Sequence, residues 1–115
     1  MCTITTIIED YKNFVLDFLN NNFPYKFYGV VLFGSYSRGD FDIKNSDIDV
    51  ALFVDNRNDV GLRECVSNIE CEFMYKFFKK LNLFVIEYHD YVERKEHSPL
   101  YRNIKKDGVV WYGSL

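Results

Sequence analysis

The sequence predicts a small mixed α/β or α+β domain, with a short mixed β-sheet flanked by helices, and three observations lead there. Tyr28–Phe33 and Ile48–Val54 are short apolar runs rich in β-branched residues, as expected of strands covered on both faces. Apolar stripes at three- and four-residue steps lie on either side of these runs and read as amphipathic helices. A length of 115 residues suffices for one compact body and leaves too little chain for a second core, so a single domain over residues 1–115 is expected.

The elements follow in order. Ile4, Ile7, Ile8, Tyr11, Phe14, Val15, Phe18 and Leu19 form the stripe of an opening helix, with Thr6 and Glu9 at capping-box spacing. Asn20-Asn21-Asn22 and Pro24 are its stop signals, because short amides compete for backbone hydrogen bonds and proline disfavours helix in the residue before it. The first strand stops at Gly34, and the second ends before the polar stretch Asp55 to Asp59. Leu62, Cys65, Val66, Ile69, Phe73, Phe77 and Leu81 form a second helical stripe. Leu83 to Tyr88 reads as a third strand. Ser98-Pro99 is a capping hydroxyl before a proline at the first helical position, and Lys105, Lys106 and Gly108 close that last helix.

Composition excludes several function classes. Fourteen Lys and Arg against 17 Asp and Glu give a formal charge of −3, the wrong sign for a strong grip on nucleic acid through its phosphates. Cys2, Cys65 and Cys71 form no CxxC pair and are odd in number, which indicates neither a disulfide framework nor a zinc site; they read as reduced, mostly buried thiols. No apolar run reaches bilayer length and the first residues lack a basic start, so no membrane association is expected and a cytoplasmic location is.

The chemistry-bearing stretch is Phe33-Gly34-Ser35-Tyr36-Ser37-Arg38-Gly39-Asp40 followed by Asn45-Ser46-Asp47-Ile48-Asp49-Val50. Strand residues two apart share a face, so Asp47 and Asp49 present their carboxylates together. Hard oxygen ligands suit Mg²⁺, which is usually completed by water and substrate phosphates instead of a full protein cage. Two such ions about 3.5 to 4 Å apart can stabilise the attacking and leaving oxygens of an in-line displacement at phosphorus. Gly34, without a Cβ, lets the backbone approach a triphosphate, and Ser35 adds a hydroxyl and an N–H. Arg38 is placed to bring a guanidinium near the phosphates, and Gly39 to bend the chain toward the second strand.

This pattern of Gly-Ser, a loop and Asp-x-Asp, over roughly Tyr28 to Val54, resembles the DNA polymerase β-type nucleotidyltransferase superfamily. The short chain is similar to the minimal nucleotidyltransferases, many of which are antitoxins encoded beside HEPN-domain toxins. The ending, His97 to Ile104 then Gly108-Val109, is similar to the tail of such domains. The resemblance implies the polymerase-β-like fold, a nucleoside triphosphate such as ATP as substrate, and Gly34, Ser35 and Arg38 as its binding residues. It also implies Asp47 and Asp49 on two Mg²⁺ ions, and transfer of NMP to an acceptor hydroxyl such as a tyrosine of a HEPN toxin.

The sequence departs from the family in two places. The gap from Tyr36 to Ser46 is eleven residues (46 − 36 + 1), one more than usual. Active members also carry a third carboxylate on the neighbouring later strand, which helps hold metal and takes the acceptor's proton. In the segment from Asn82 to Tyr88 the sole acid is Glu87, which makes it the candidate for that role, with a solvated strand-end charge as the other reading. Two functions therefore stay open: a nucleotidyltransferase, or a binding module with a vestigial nucleotide site that neutralises a partner by contact. Asp40, Asp42, His89 and His97 read as surface or capping groups, and Tyr36 as packing. Phe73, Met74, Tyr75, Phe77 and Phe78 spread apolar groups over more than one helix face, which suits either core or a face docked on another chain, in a homo- or hetero-oligomer.

Overall fold

A computed structural model of the chain describes residues 3–42 and 44–114, with side chains from Thr6 onward. The elements run α1 (Thr3–Asn22), β1 (Phe27–Phe33), α2 (Ser35–Arg38), β2 (Ile48–Val54), α3 (Leu62–Phe77), β3 (Leu81–Glu87), α4 (Tyr88–Arg94), α5 (Pro99–Asp107) and β4 (Val109–Gly113). The strands form one sheet in the order β3-β2-β1-β4. β1 runs antiparallel to β2 and β4, while β2 and β3 are parallel, which gives the mixed sheet expected.

The two central strands carry continuous apolar runs because both their faces are covered. On one face Val30, Leu32, Val50, Leu52 and Val54 meet α1 and α3 through Tyr11, Val15, Leu19, Ile69 and Phe73. On the other, Val31, Phe33, Ala51 and Phe53 meet Tyr91 of α4 and Ile104 of α5. Tyr11, Val15 and Leu19 are buried at four-residue steps along α1, the spacing that lines one helix face. Burial, reinforced by neighbouring Tyr36, pushes the Tyr11 hydroxyl up to about 12.

Pairing β2 with a parallel β3 needs a crossover, and α3 supplies it. That helix ends at Phe78, held left-handed at φ 55°, whose N–H donates to the Met74 carbonyl at 2.8 Å. At α5 the Ser98 Oγ accepts from the Tyr101 N–H at 3.3 Å with Pro99 at the first helical position, as the sequence indicates.

Several expectations are corrected. Helix α1 already includes Thr3, so Thr6 and Glu9 lie within it and form no cap at its start; Cys2 and the Ile4 side chain lie outside the described residues. The helix also continues through all three asparagines to Asn22, two residues before Pro24. Leu81 belongs to β3, whose start is two residues earlier than its apolar run suggests. Helices α2 and α4 and strand β4 add to the predicted order, and Tyr88 opens α4 instead of ending a strand. Cys65 is half-buried and Cys71 exposed, not buried. Of the broad apolar set on α3, Phe73 is core and Phe77 packs beside it, but Met74, Tyr75 and Phe78 are exposed. Among the described residues no helix is long and apolar enough to cross a membrane.

Candidate active site

Antiparallel pairing sets the end of β1 against the start of β2, with Phe33 opposite Asp49. Gly34 follows at φ 79°, ψ −154°, a backbone region essentially closed to residues with a Cβ. A Cβ there would also lie 2.6 Å from Asp49 Oδ2, so the glycine backbone and this carboxylate are in direct contact. Ser35 then opens α2. The N–H groups of Ser37 and Arg38 both donate to the Gly34 carbonyl at 3.1 Å, and Ser37 commits its hydroxyl to the same oxygen at 2.8 Å. Left-handed Gly39, φ 83°, ends the turn.

Asp47 precedes β2 and Asp49 lies in it, and their carboxylates converge. The Asn82 side-chain amide donates to Asp47 Oδ2 at 3.3 Å and to Asp49 Oδ1 at 3.0 Å. Asn82 stands opposite Asp49 in the parallel register of β2 and β3. Burial raises the Asp49 carboxyl above its ordinary value; the Asn82 hydrogen bond opposes this, Asp47 adds to it, and the Arg38 charge lowers it. A half-buried carboxylate beside a second one is short of positive charge, and an oxygen-rich pair of this kind fits a hard divalent cation. Among the described residues no group of three or more His, Cys, Asp and Glu could hold a metal, so the donor set is a pair and not a cage.

Arg38 lies near these acids but is engaged elsewhere, with Asp40 at 3.2 Å and Asp107 of α5 at 3.4 Å. Asp42 shapes the loop, accepting from the Lys44 N–H at 2.9 Å and the Asn45 amide at 2.8 Å, and these bonds hold its carboxyl below the usual range. Tyr36 is buried and stacked on Phe41 with ring centroids 4.1 Å apart, so it packs within the chain. A cleft of about 490 Å³ between α1 and α3, lined by Asp10, Phe14, Asp17, Lys76 and Phe77 among others, does not touch the acids.

Glu87 is not brought to the site, which corrects the candidate for the third carboxylate. It pairs with Val54 and lies five residues (87 − 82) beyond Asn82. At roughly 3.3 Å per strand residue that is about 16 Å. Because β3 is parallel to β2, the start of β3 meets the acids, not its end; Glu87 instead accepts the Arg57 N–H at 3.2 Å. The residue missed was Asn82, which lay in the segment considered but was passed over because it carries an amide and not an acid.

A Gly-Ser turn is thus pressed against converging Asp-x-Asp carboxylates on adjacent strands of a four-stranded mixed sheet. The chain belongs to the nucleotidyltransferase domain family, whose model matches residues 15–112. No curated protein matches it. Among solved structures it is similar to a toxin–antitoxin with AMP-PNP, at 23% identity and TM-score 0.64 over 90% of this chain and 73% of that one. It is also similar to a complex of tri-AMPylated HEPN toxin with MNT antitoxin from Shewanella oneidensis, at 19% identity and TM-score 0.57 over 90% and 70% of the chains. A structure of the toxin–antitoxin MntA-HepT matches at 19% identity and TM-score 0.56, again over 90% and 70%. These likenesses show the shared fold.

Proposed function

We propose that the domain binds ATP or another nucleoside triphosphate with Mg²⁺ and transfers its NMP to a hydroxyl of a polypeptide partner. The observation that carries this reading is the convergence of Asp47 and Asp49 on Asn82, with Asp49 Oδ2 turned toward Gly34. Gly34 lets the backbone approach the β and γ phosphates, Ser35 donates to them from the first turn of α2, and Asp47 and Asp49 hold Mg²⁺. Mg²⁺, when bound, neutralises phosphate charge. The acceptor oxygen bonds to the α-phosphorus as the bond to the bridging β-phosphate oxygen breaks. Pyrophosphate leaves and the hydroxyl proton passes to solvent. Positioning and charge neutralisation supply most of the rate.

The acceptor side has a rim suited to a protein. Phe78, 84% exposed, and Lys79 and Lys80 lead into the end of β3 that meets the acids, where the Ile48 N–H donates to the Lys80 carbonyl at 3.0 Å. Tyr75, 83% exposed, lies one turn earlier. The AMPylated HEPN toxin in the Shewanella oneidensis complex makes a HEPN-domain tyrosine the acceptor to test first.

A second reading is favoured by one observation: a neutral amide, not a carboxylate, stands opposite Asp49. On that reading the domain binds nucleotide and neutralises its partner by contact. Incubation with α-labelled ATP, Mg²⁺ and a HEPN-domain partner separates the two. Label on the partner that disappears with Asp49→Asn supports transfer. A tight complex without label supports the contact reading, and neither label nor complex rejects both.

A further inference from the structure

We propose that Asn82 restricts the site to a single divalent cation, held on the triphosphate side by Asp47 and Asp49, with no second ion on the acceptor side. The inference rests on the nucleotide reading above and deepens it, because two acids of this kind lead to an expectation of two ions.

The donor set carries the argument. The Asn82 Nδ2 bridges Asp47 Oδ2 and Asp49 Oδ1 at 3.3 and 3.0 Å. An amide nitrogen presents only hydrogens, so on this side the carboxylates face donors and not a cation. The outer oxygen of Asp49, Oδ2, faces Gly34, the phosphate-binding turn. That oxygen and the remaining one of Asp47 suffice, with phosphate and water, for one Mg²⁺.

Two ions about 3.5 to 4 Å apart would concentrate four positive charges, which a third carboxylate would help to offset and a neutral amide does not. The nearby acids are committed: Asp40 and Asp107 to Arg38, Asp42 to its own loop, and Glu70 of α3 to the Leu83 N–H at 3.0 Å. Glu87 is at the far end of β3. Asn82 is thus a positioning residue that holds two carboxylates convergent for one ion.

Metal stoichiometry tests this independently of turnover. The full chain, loaded with AMP-PNP and freed of unbound nucleotide by desalting, is titrated with Mn²⁺, and bound ion is read from loss of the free Mn²⁺ electron paramagnetic resonance signal. One ion per chain is expected for the wild type and two for Asn82→Asp, whose fold is checked by circular dichroism. Two ions on the wild type would overturn the inference and leave the nucleotide reading standing, as would a single ion on folded Asn82→Asp. Failure of the wild type to retain both AMP-PNP and Mn²⁺ would reject the nucleotide reading and this inference with it. If the variant does not fold, one ion on the wild type supports the single-ion site and two overturn it.

Discussion

Replacing Gly34 with alanine tests the packing of the Gly34-Ser35 turn against Asp49 most directly. Two costs add. The backbone at φ 79°, ψ −154° disfavours any Cβ by about 1–3 kcal/mol. The new Cβ would also stand 2.6 Å from Asp49 Oδ2, and ordinary contact begins at 3.4 Å, so the carboxylate must retreat by 0.8 Å (3.4 − 2.6). That movement disturbs the 3.0 Å bond from Asn82, a hydrogen bond to a charged group whose loss costs about 1.5 kcal/mol or more. The total is roughly 3 kcal/mol, a fall in Tm on the order of 10 °C for a domain of this size. Gly39→Ala is the control: its φ is 83° but a Cβ there meets nothing within 4 Å, so only about 1 kcal/mol of left-handed backbone strain applies. Thermal unfolding followed by circular dichroism reads the difference, and a fluorescent ATP analogue reads at least about a tenfold loss of affinity for Gly34→Ala alone. If Gly34→Ala melts no lower than Gly39→Ala and binds as well as the parent, glycine and acid do not touch and the site is misassembled.

Asp49→Asn should raise the metal-free Tm at pH 7 by about a few degrees, because the partly buried carboxyl is then ionised at a cost. Its folded value is raised above 3.8, so this group's contribution to stability falls as pH rises through the window above 3.8. The variant's advantage should therefore shrink on acidification toward pH 3.5, and a variant less stable than the parent at pH 7 would contradict this. Glu87→Gln should leave metal binding, nucleotide binding and transfer unchanged and cost less than about 1 kcal/mol, since the carboxylate only accepts the exposed Arg57 N–H; a large loss of transfer would contradict the β3 register. Phe78→Gly should raise Tm by about 2–4 °C by relieving the left-handed strain at an exposed ring, while weakening capture of a protein acceptor; a lower Tm would mean the ring packs within the domain.

The fold was legible wherever one residue's neighbours in sequence are also its neighbours in space. The strands Ile48–Val54 and most of Phe27–Phe33 declare themselves as apolar β-branched runs, and the Ser98-Pro99 start of α5 as a cap. Strand β4 was not legible because Val109 to Gly113 is short and has just one buried residue, Trp111. Helix α4 was hidden because Tyr88 follows the last residue of β3 directly, with no glycine, proline or loop to mark the switch. In the site, Gly34, Asp47 and Asp49 are juxtaposed by a single antiparallel pairing that their spacing already suggests. Glu87 and Asn82 could be ranked only by the register of a parallel pair across α3, which no local pattern encodes.

The proposed nucleotide site is sequence-local: Gly34, Ser35, Asp47 and Asp49 all fall between the start of β1 at Phe27 and the end of β2 at Val54. Contacts of such low separation are inexpensive to close, whereas Asn82 arrives across the whole of α3. A nascent chain that has emerged as far as Asp59 therefore already contains the whole of that local set. The amide that aligns the acids joins only after the crossover, so a chain truncated before β3 would lack the group that bonds both carboxylates.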